Sequence, residues 1–248
     1  MTLQVIGTGS AGNAYALHSE TGKTLLLDAG VPIRKIIQAL GGLEGVEGCV
    51  ITHEHNDHSA AANDLASRGV DVYASEGTIG CISASPLLRR FKAVFAGCTE
   101  VIGEFTVLPF EAQHDAVQPN GYVIRHEPTG DTLLYATDTY YLRNTFPGVH
   151  FWLVECNYTD ELAIEAKESG QIDERLRERL ITSHMSLRRL KDALAANDLT
   201  QTHKIILIHL SDERSDAGRM VSEISDQTGI ETVVASAGET INLSRVPF

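Results

Sequence analysis

The run Thr52-His53-Glu54-His55-Asn56-Asp57-His58 packs three imidazoles and the Asp57 carboxylate into six positions, directly after the apolar stretch Cys49-Val50-Ile51. Burying such groups unpaired is costly, so an ordinary core segment does not read this way. The run falls where a strand gives way to a helix, a junction at which side chains splay in different directions. The H-x-H-x-D-H spacing lets His53 and His55 reach one metal ion while Asp57 and His58 reach a second. Imidazole and carboxylate donors without thiolate suit Zn²⁺, Mn²⁺ or iron, and open coordination positions mark a catalytic rather than a structural metal. Three further candidates end apolar runs. His114 follows 106–110 in Gln113-His114-Asp115, Asp138 closes Leu133-Leu-Tyr-Ala-Thr137, and His209 closes Ile205-Ile-Leu-Ile208. Singly, each is the kind of residue that serves structure. Together with the 53–58 run they complete two three-histidine-type sites sharing one carboxylate.

Groups with this chemistry need strands to carry them. Short strands broken by glycine turns are expected over 3–6, 14–17, 24–27 and 48–51, then over 70–74, 104–109, 121–126, 132–136 and 151–155. A helix is expected from 33 to 40, ended by Gly41-Gly42, and another over 59–67. The second half turns helical over 159–167, 173–181, 186–196 and 216–227, with strands at 205–208, 233–235 and 240–243. Leu187, Leu190 and Leu194 share one side of their helix. This mixed βα order fits two sheets with helices outside them, and no G-x-G-x-x-G loop is present. Repeats, low-complexity tracts and linkers are absent, so residues 1–248 are expected to form a single domain.

Composition narrows the function classes. Of 248 residues, 20 are basic and 33 acidic, a formal charge of −13. An anionic surface argues against non-specific adhesion to nucleic acid or acidic membranes, yet two divalent ions would restore about four positive charges in one place. No apolar stretch approaches the ~20 residues that span a bilayer, and the first residues carry no targeting pattern. The four cysteines (Cys49, Cys81, Cys98, Cys156) form no CxxC pair, so no disulfide framework is expected. A cytoplasmic protein is expected.

On these residues the chain resembles the metallo-β-lactamase-fold hydrolases, whose five motifs occur here in order. They are Asp28 in Leu25-Leu-Leu-Asp-Ala-Gly30, His53-x-His55-x-Asp57-His58, His114, Asp138 and His209. The resemblance implies an α/β, αββα four-layer sandwich with the metals at one edge. It implies two divalent ions, Zn²⁺ first with Mn²⁺ or Fe²⁺ as alternatives. His53, His55 and His114 would hold the first metal, and Asp57, His58 and His209 the second, with Asp138 bridging and Asp28 bracing the motif-two loop. Gly9-Ser10-Ala11-Gly12-Asn13, Val154-Glu-Cys-Asn-Tyr158, Ser183-His184-Met185-Ser186 and Leu207-Ile-His-Leu-Ser211 look like the YycJ (WalJ) group. That group is similar to the phosphodiesterase and nuclease branches of the superfamily, and within it His184 would lie near the metals as a group supporting the ligands or as a proton donor. Asp138 stands where many β-lactamases of this fold carry cysteine, which argues against antibiotic hydrolysis. The stretch from Asp138 to His209 is too short for the added domain of the β-CASP nucleases.

The expected activity is binuclear metal-dependent phosphodiester cleavage by a DNA or RNA nuclease, with a metal-bridging hydroxide as nucleophile, and the resemblance implies the 5′-to-3′ exonuclease type. Asp57 would orient or deprotonate the nucleophile, and His184 would stabilise the pentacovalent state or protonate the leaving oxygen. Ser10, Gly12 and Asn13 are candidate substrate contacts on a tight turn. Arg175, Arg177 and Arg179 interleave with Asp173, Glu174 and Glu178, which reads as a salt-paired face more than a phosphate track. The alternative is a small-molecule hydrolase using the same metals on a cyclic phosphodiester, thioester or lactone.

Overall fold

The computed structural model describes residues 1–83 and 85–245. The chain divides into two compact units, one of residues 1–111, 116–132 and 235 onward, the other of 112–115 and 133–234.

The first unit opens with the antiparallel strands β1 (Thr2–Gly7), β2 (Ala14–His18) and β3 (Thr24–Leu27). Helix α1 (Ile33–Leu40) follows and stops at Gly41, whose φ of 72° lets its N–H reach the Ile37 carbonyl, a left-handed cap glycine adopts without strain. Parallel strands then add to β3 in turn: β4 (Val46–Val50), β5 (Val72–Ala74) and β6 (Phe91–Ala93). Between them lie α2 (Asn56–Ser59), α3 (Ala62–Ser67), α4 (Glu76–Ile82) and a 3₁₀ turn (Ser85–Arg90). Leu26, Cys49, Ile51 and Val72 pack with Ile36 and Leu65 in one buried cluster. An antiparallel run, β7 (Glu100–Ile102), β8 (Phe105–Glu111) and β9 (Asn120–His126), completes the unit together with the last strand of the chain, which pairs with β1.

The second unit is built on β10 (Asp131–Ala136), β11 (Phe151–Glu155), then helices α5 (Asp160–Glu168), α6 (Glu174–Ser183) and α7 (Leu187–Ala195), strand β12 (Lys204–Ile208), helix α8 (Ala217–Thr228) and β13 (Glu231–Val234). β10, β11, β12 and β13 are parallel neighbours in that order. Strand β11 is buried along its whole length, as a parallel strand covered on both faces requires. Helix α7 buries Leu187, Leu190 and Leu194, whereas α6 buries only Ser183. The closing strand β14 (Thr240–Asn242) belongs to the first unit.

Several elements differ from expectation. The helix expected over 59–67 is two pieces, because the Ala61 N–H leaves the helical ladder and donates to Ala29 O at 2.8 Å. α4 contains Gly77 and Gly80, poor helix formers whose propensity hid it. β6 and β7 are three residues each, too short to show a period.

Candidate metal centre

In the first unit Asp28 and the 53–58 run follow the parallel neighbours β3 and β4, at the strand ends where open α/β sheets present their chemistry. Asp28 follows β3 with φ 58°, a left-handed conformation uncommon outside glycine. This turn aims its buried carboxylate across to the residues after β4. Asp28 Oδ1 accepts from the Thr52 N–H at 2.8 Å, and the Thr52 hydroxyl donates to both carboxylate oxygens. Asp28 Oδ2 lies 2.7 Å from His58 Nδ1, with both side chains fully buried. Read with the proton on Nδ1, this contact fixes the tautomer and leaves Nε2 as the basic nitrogen, the pairing that orients metal-binding histidines.

The turn over 53–58 presents two donor pairs. His53 Nε2 and His55 Nδ1 stand 3.1 Å apart, near the roughly 3.3 Å edge of a tetrahedron built on 2.0–2.1 Å Zn–N bonds. Asp57 Oδ2 and His58 Nε2 stand 3.5 Å apart. This donor set fits divalent metals. Glu54 is engaged elsewhere, its Oε1 accepting the Val117 N–H at 2.8 Å.

Asn13 secures the turn from below. Its N–H donates to Asp57 O at 2.7 Å, its side-chain amide donates to Asp57 O and Gly9 O, and its Oδ1 accepts from the Gly9 N–H and the Tyr15 hydroxyl. Nδ2 also lies 3.1 Å from His58 Nε2. Gly12 and Asn13 are buried, while Ser10 is exposed at the tip of the turn. Gly30 completes the stack. A Cβ there would lie 1.7 Å from Asp57 O and 2.7 Å from the His58 N. Gly30→Ala therefore has to push the candidate metal-binding turn away. We expect at least about 3 kcal/mol of lost stability in urea denaturation, together with lower metal content.

In the second unit the same strand-end logic applies. Asp138 follows β10 and His209 follows β12, with φ of 47° and 54°. Both are non-glycine residues held in the left-handed region, and such strain concentrates at functional sites. Asp138 Oδ1 accepts from Thr137 Oγ1 at 2.8 Å and contacts His209 Nδ1. Asp138 Oδ2 lies 3.6 Å from His114 Nε2. His114 Nδ1 meets Ser183 O at 2.9 Å, so Nδ1 carries the proton and Nε2 is again the free donor nitrogen. Burial holds the His114 pKa below its ordinary value, against the pull of Asp138.

Glu155, the last residue of β11, is fully buried and was missed from the sequence. Its Oε1 lies 2.6 Å from His184 Nδ1, and Oε2 accepts from the Thr139 and Met185 N–H groups, each at 3.1 Å. Burial disfavours charge on His184, but the Glu155 carboxylate outweighs it and raises the pKa to about 9. Ligand-type atoms of Asp138, Glu155, His184 and His209 all lie within 4.8 Å of one another. The signal that would have exposed Glu155 is a carboxylate closing the run Phe-Trp-Leu-Val, since a charge there must be paired. Of the arginines on α6, Arg177 pairs with Glu174 and Arg179 with Asp115, and Arg175 is exposed.

Comparison with known proteins is consistent in kind. A family model described as a beta-lactamase superfamily domain matches residues 23–210. The chain is 31% identical to the exodeoxyribonuclease WalJ of Streptococcus pneumoniae over 227 residues, 85% of this chain and 82% of that one. It is 28% identical to the exodeoxyribonuclease YycJ of Bacillus anthracis, over 91% of this chain and 89% of that one. Among solved structures, Zn²⁺-bound PqqB from Methylobacterium extorquens superposes with a TM-score of 0.74 at 16% identity, covering 98% of this chain and 100% of that one. No helix among the described residues is long and apolar enough to cross a membrane.

Proposed function

Since the chain belongs to the beta-lactamase superfamily and has its α/β fold, alongside the WalJ and YycJ relatives, we propose that it is a binuclear metal-dependent phosphodiesterase that degrades nucleic acid as a 5′-to-3′ exonuclease. The observation that carries this reading is the pairing of buried Glu155 with partly exposed His184 beside Asp138 and His209. An imidazole held by a buried carboxylate, next to metal-ligating groups, is what a leaving alkoxide needs as its proton source.

The proposed ligands are His53, His55 and His114 for one metal and Asp57, His58 and His209 for the other, with Asp138 shared and residues 1–248 working as one domain. Zinc is the first choice for a set without thiolate, with Mn²⁺ or Fe²⁺ as alternatives. When bound, two divalent ions supply an activated water as nucleophile and neutralise charge on the phosphoryl oxygens. The protein's own groups do the rest. Asp28 and Ser183 O fix which nitrogens of His58 and His114 face outward. Asp57 orients the nucleophile. Glu155 holds His184 through Nδ1 and leaves Nε2 to protonate the leaving oxygen. Ser10, on the exposed tip, contacts the substrate, and Gly12 and Asn13 shape the turn beneath it.

The test is hydrolysis by metal-reconstituted protein of end-labelled single- and double-stranded DNA and RNA, beside bis(p-nitrophenyl) phosphate and a small cyclic phosphodiester. Metal-dependent shortening of a polymer from its 5′ end is the expected result. Hydrolysis of the small diesters alone moves the assignment to a small-molecule phosphodiesterase. Inactivity on both, from protein shown to hold two metals, overturns the phosphodiester reading in favour of thioesters or lactones.

A further inference from the structure

Helix α6 ends on Ser183, whose carbonyl meets His114, and is followed by His184, yet it buries no other residue. Of its three apolar residues Leu176 is exposed and Leu180 and Ile181 are half-buried, so apolar burial holds it only weakly. The Arg179–Asp115 ion pair is largely exposed, and pairs of that kind contribute little. Its end is held instead by polar contacts, of which Ser183 O with His114 and His184 with Glu155 are two.

We propose that Arg189 is a positioning residue for the metal centre, clamping the last turn of α6 to the loop after β10. Arg189 lies in the first turn of α7, where its N–H is capped by Ser186 Oγ. Its guanidinium Nη1 donates to Ile181 O and, at 3.4 Å, to Tyr140 O. Its Cζ also sits 5.2 Å from the centre of the Tyr140 ring. Carbonyls in the final helical turn lack intrahelical partners, so Ile181 O is a ready acceptor. One planar cation thus touches both segments that carry the chemistry. Ile181 precedes Ser183 and His184 by two and three residues. Tyr140 follows Asp138 by two, and its own N–H donates to Gln113 O at 3.1 Å, beside His114. Between them, the Thr139 N–H holds Glu155 Oε2. A lysine cannot replace the clamp, because its point charge lacks the fork and the flat face that stacks on an aromatic ring.

The metal-affinity arm of the test stands without the proposed function, and only the turnover arm rests on it. Zn²⁺ is titrated into wild type, Arg189→Ala, Arg189→Lys and Arg189→Met against a chromophoric chelator, and turnover is measured on bis(p-nitrophenyl) phosphate. Arg189→Ala is expected to weaken one of the two zinc ions about tenfold and to lower kcat about tenfold with little change in KM, the scale found for groups that orient metal ligands. Arg189→Lys does not restore either value, and free guanidinium at non-denaturing concentration restores Arg189→Ala in part. Should Arg189→Ala fold poorly, Arg189→Met keeps the packed stem and reads the same effect. Zinc affinity and kcat within twofold of wild type overturn the inference, as does a change confined to KM, which would make Arg189 a substrate contact. Wild type that binds two zinc ions and cleaves no phosphodiester overturns the proposed function instead, with the affinity comparison still deciding the role of Arg189.

Discussion

Asp138→Ala is expected to retain at most one metal per chain and to lose hydrolysis by at least about 10³-fold, because several kcal/mol of transition-state stabilisation leave with the ions. The two carboxylate oxygens of Asp138 face two different histidines, Oδ1 towards His209 Nδ1 and Oδ2 towards His114 Nε2. Among the described residues no other carboxylate is seen in both relations, so on the proposed ligand set its removal would take the shared anion from both metals at once. The fold is expected to survive. Asp138 occupies a left-handed turn, where alanine costs roughly 1–2 kcal/mol more than a residue suited to it. For a chain of this length that lowers Tm by only about 2–8 °C. Asp138→Asn separates charge from shape, since asparagine tolerates the left-handed region and keeps the side-chain volume. Metal content by mass spectrometry, with turnover measured in parallel, is the check. An Asp138→Asn protein with two metals and near-normal turnover would falsify the shared-ligand role.

The sequence shows the metal chemistry more clearly than the support beneath it. His53, His55, Asp57 and His58 stand out because four polar donors interrupt an apolar run. Asp138 and His209 stand out because each closes one. Strand ends are legible wherever β-branched and leucine runs stop at a polar residue, as in β10 and β12. Three things are hidden for physical reasons. The left-handed φ at Asp28, Asp138 and His209 leaves no mark on residue type, since none of the three is glycine. Glu155 lies inside a segment that reads as strand, and its partner His184 is 29 residues away. Asn13, expected as a substrate contact on a tight turn, is fully buried, because the contacts that occupy its amide come from Asp57 and His58, far along the chain. Short-range pattern carries the donors, and long-range hydrogen bonds carry their orientation.

That orientation sets the second large effect. His184→Ala is expected to lower kcat by about 10²–10⁴-fold, the usual contribution of a positioned general acid, with two metals still bound. Glu155→Gln keeps the volume and one acceptor for the Thr139 and Met185 N–H groups but removes the anion that holds His184. Its kcat is expected to fall by a comparable factor. Because Glu155 acts through His184, the double variant is expected to be no slower than His184→Ala alone, a non-additivity typical of groups that work as a unit. Stability supplies an independent reading. His184→Ala strands a fully buried carboxylate with part of its pairing gone, whereas the double variant removes that charge. The double variant is therefore expected to melt above the single one while remaining equally slow. Additive losses in kcat would give Glu155 a role of its own at the metals. Loss of a metal from His184→Ala would move His184 into the ligand set and end its assignment as the acid.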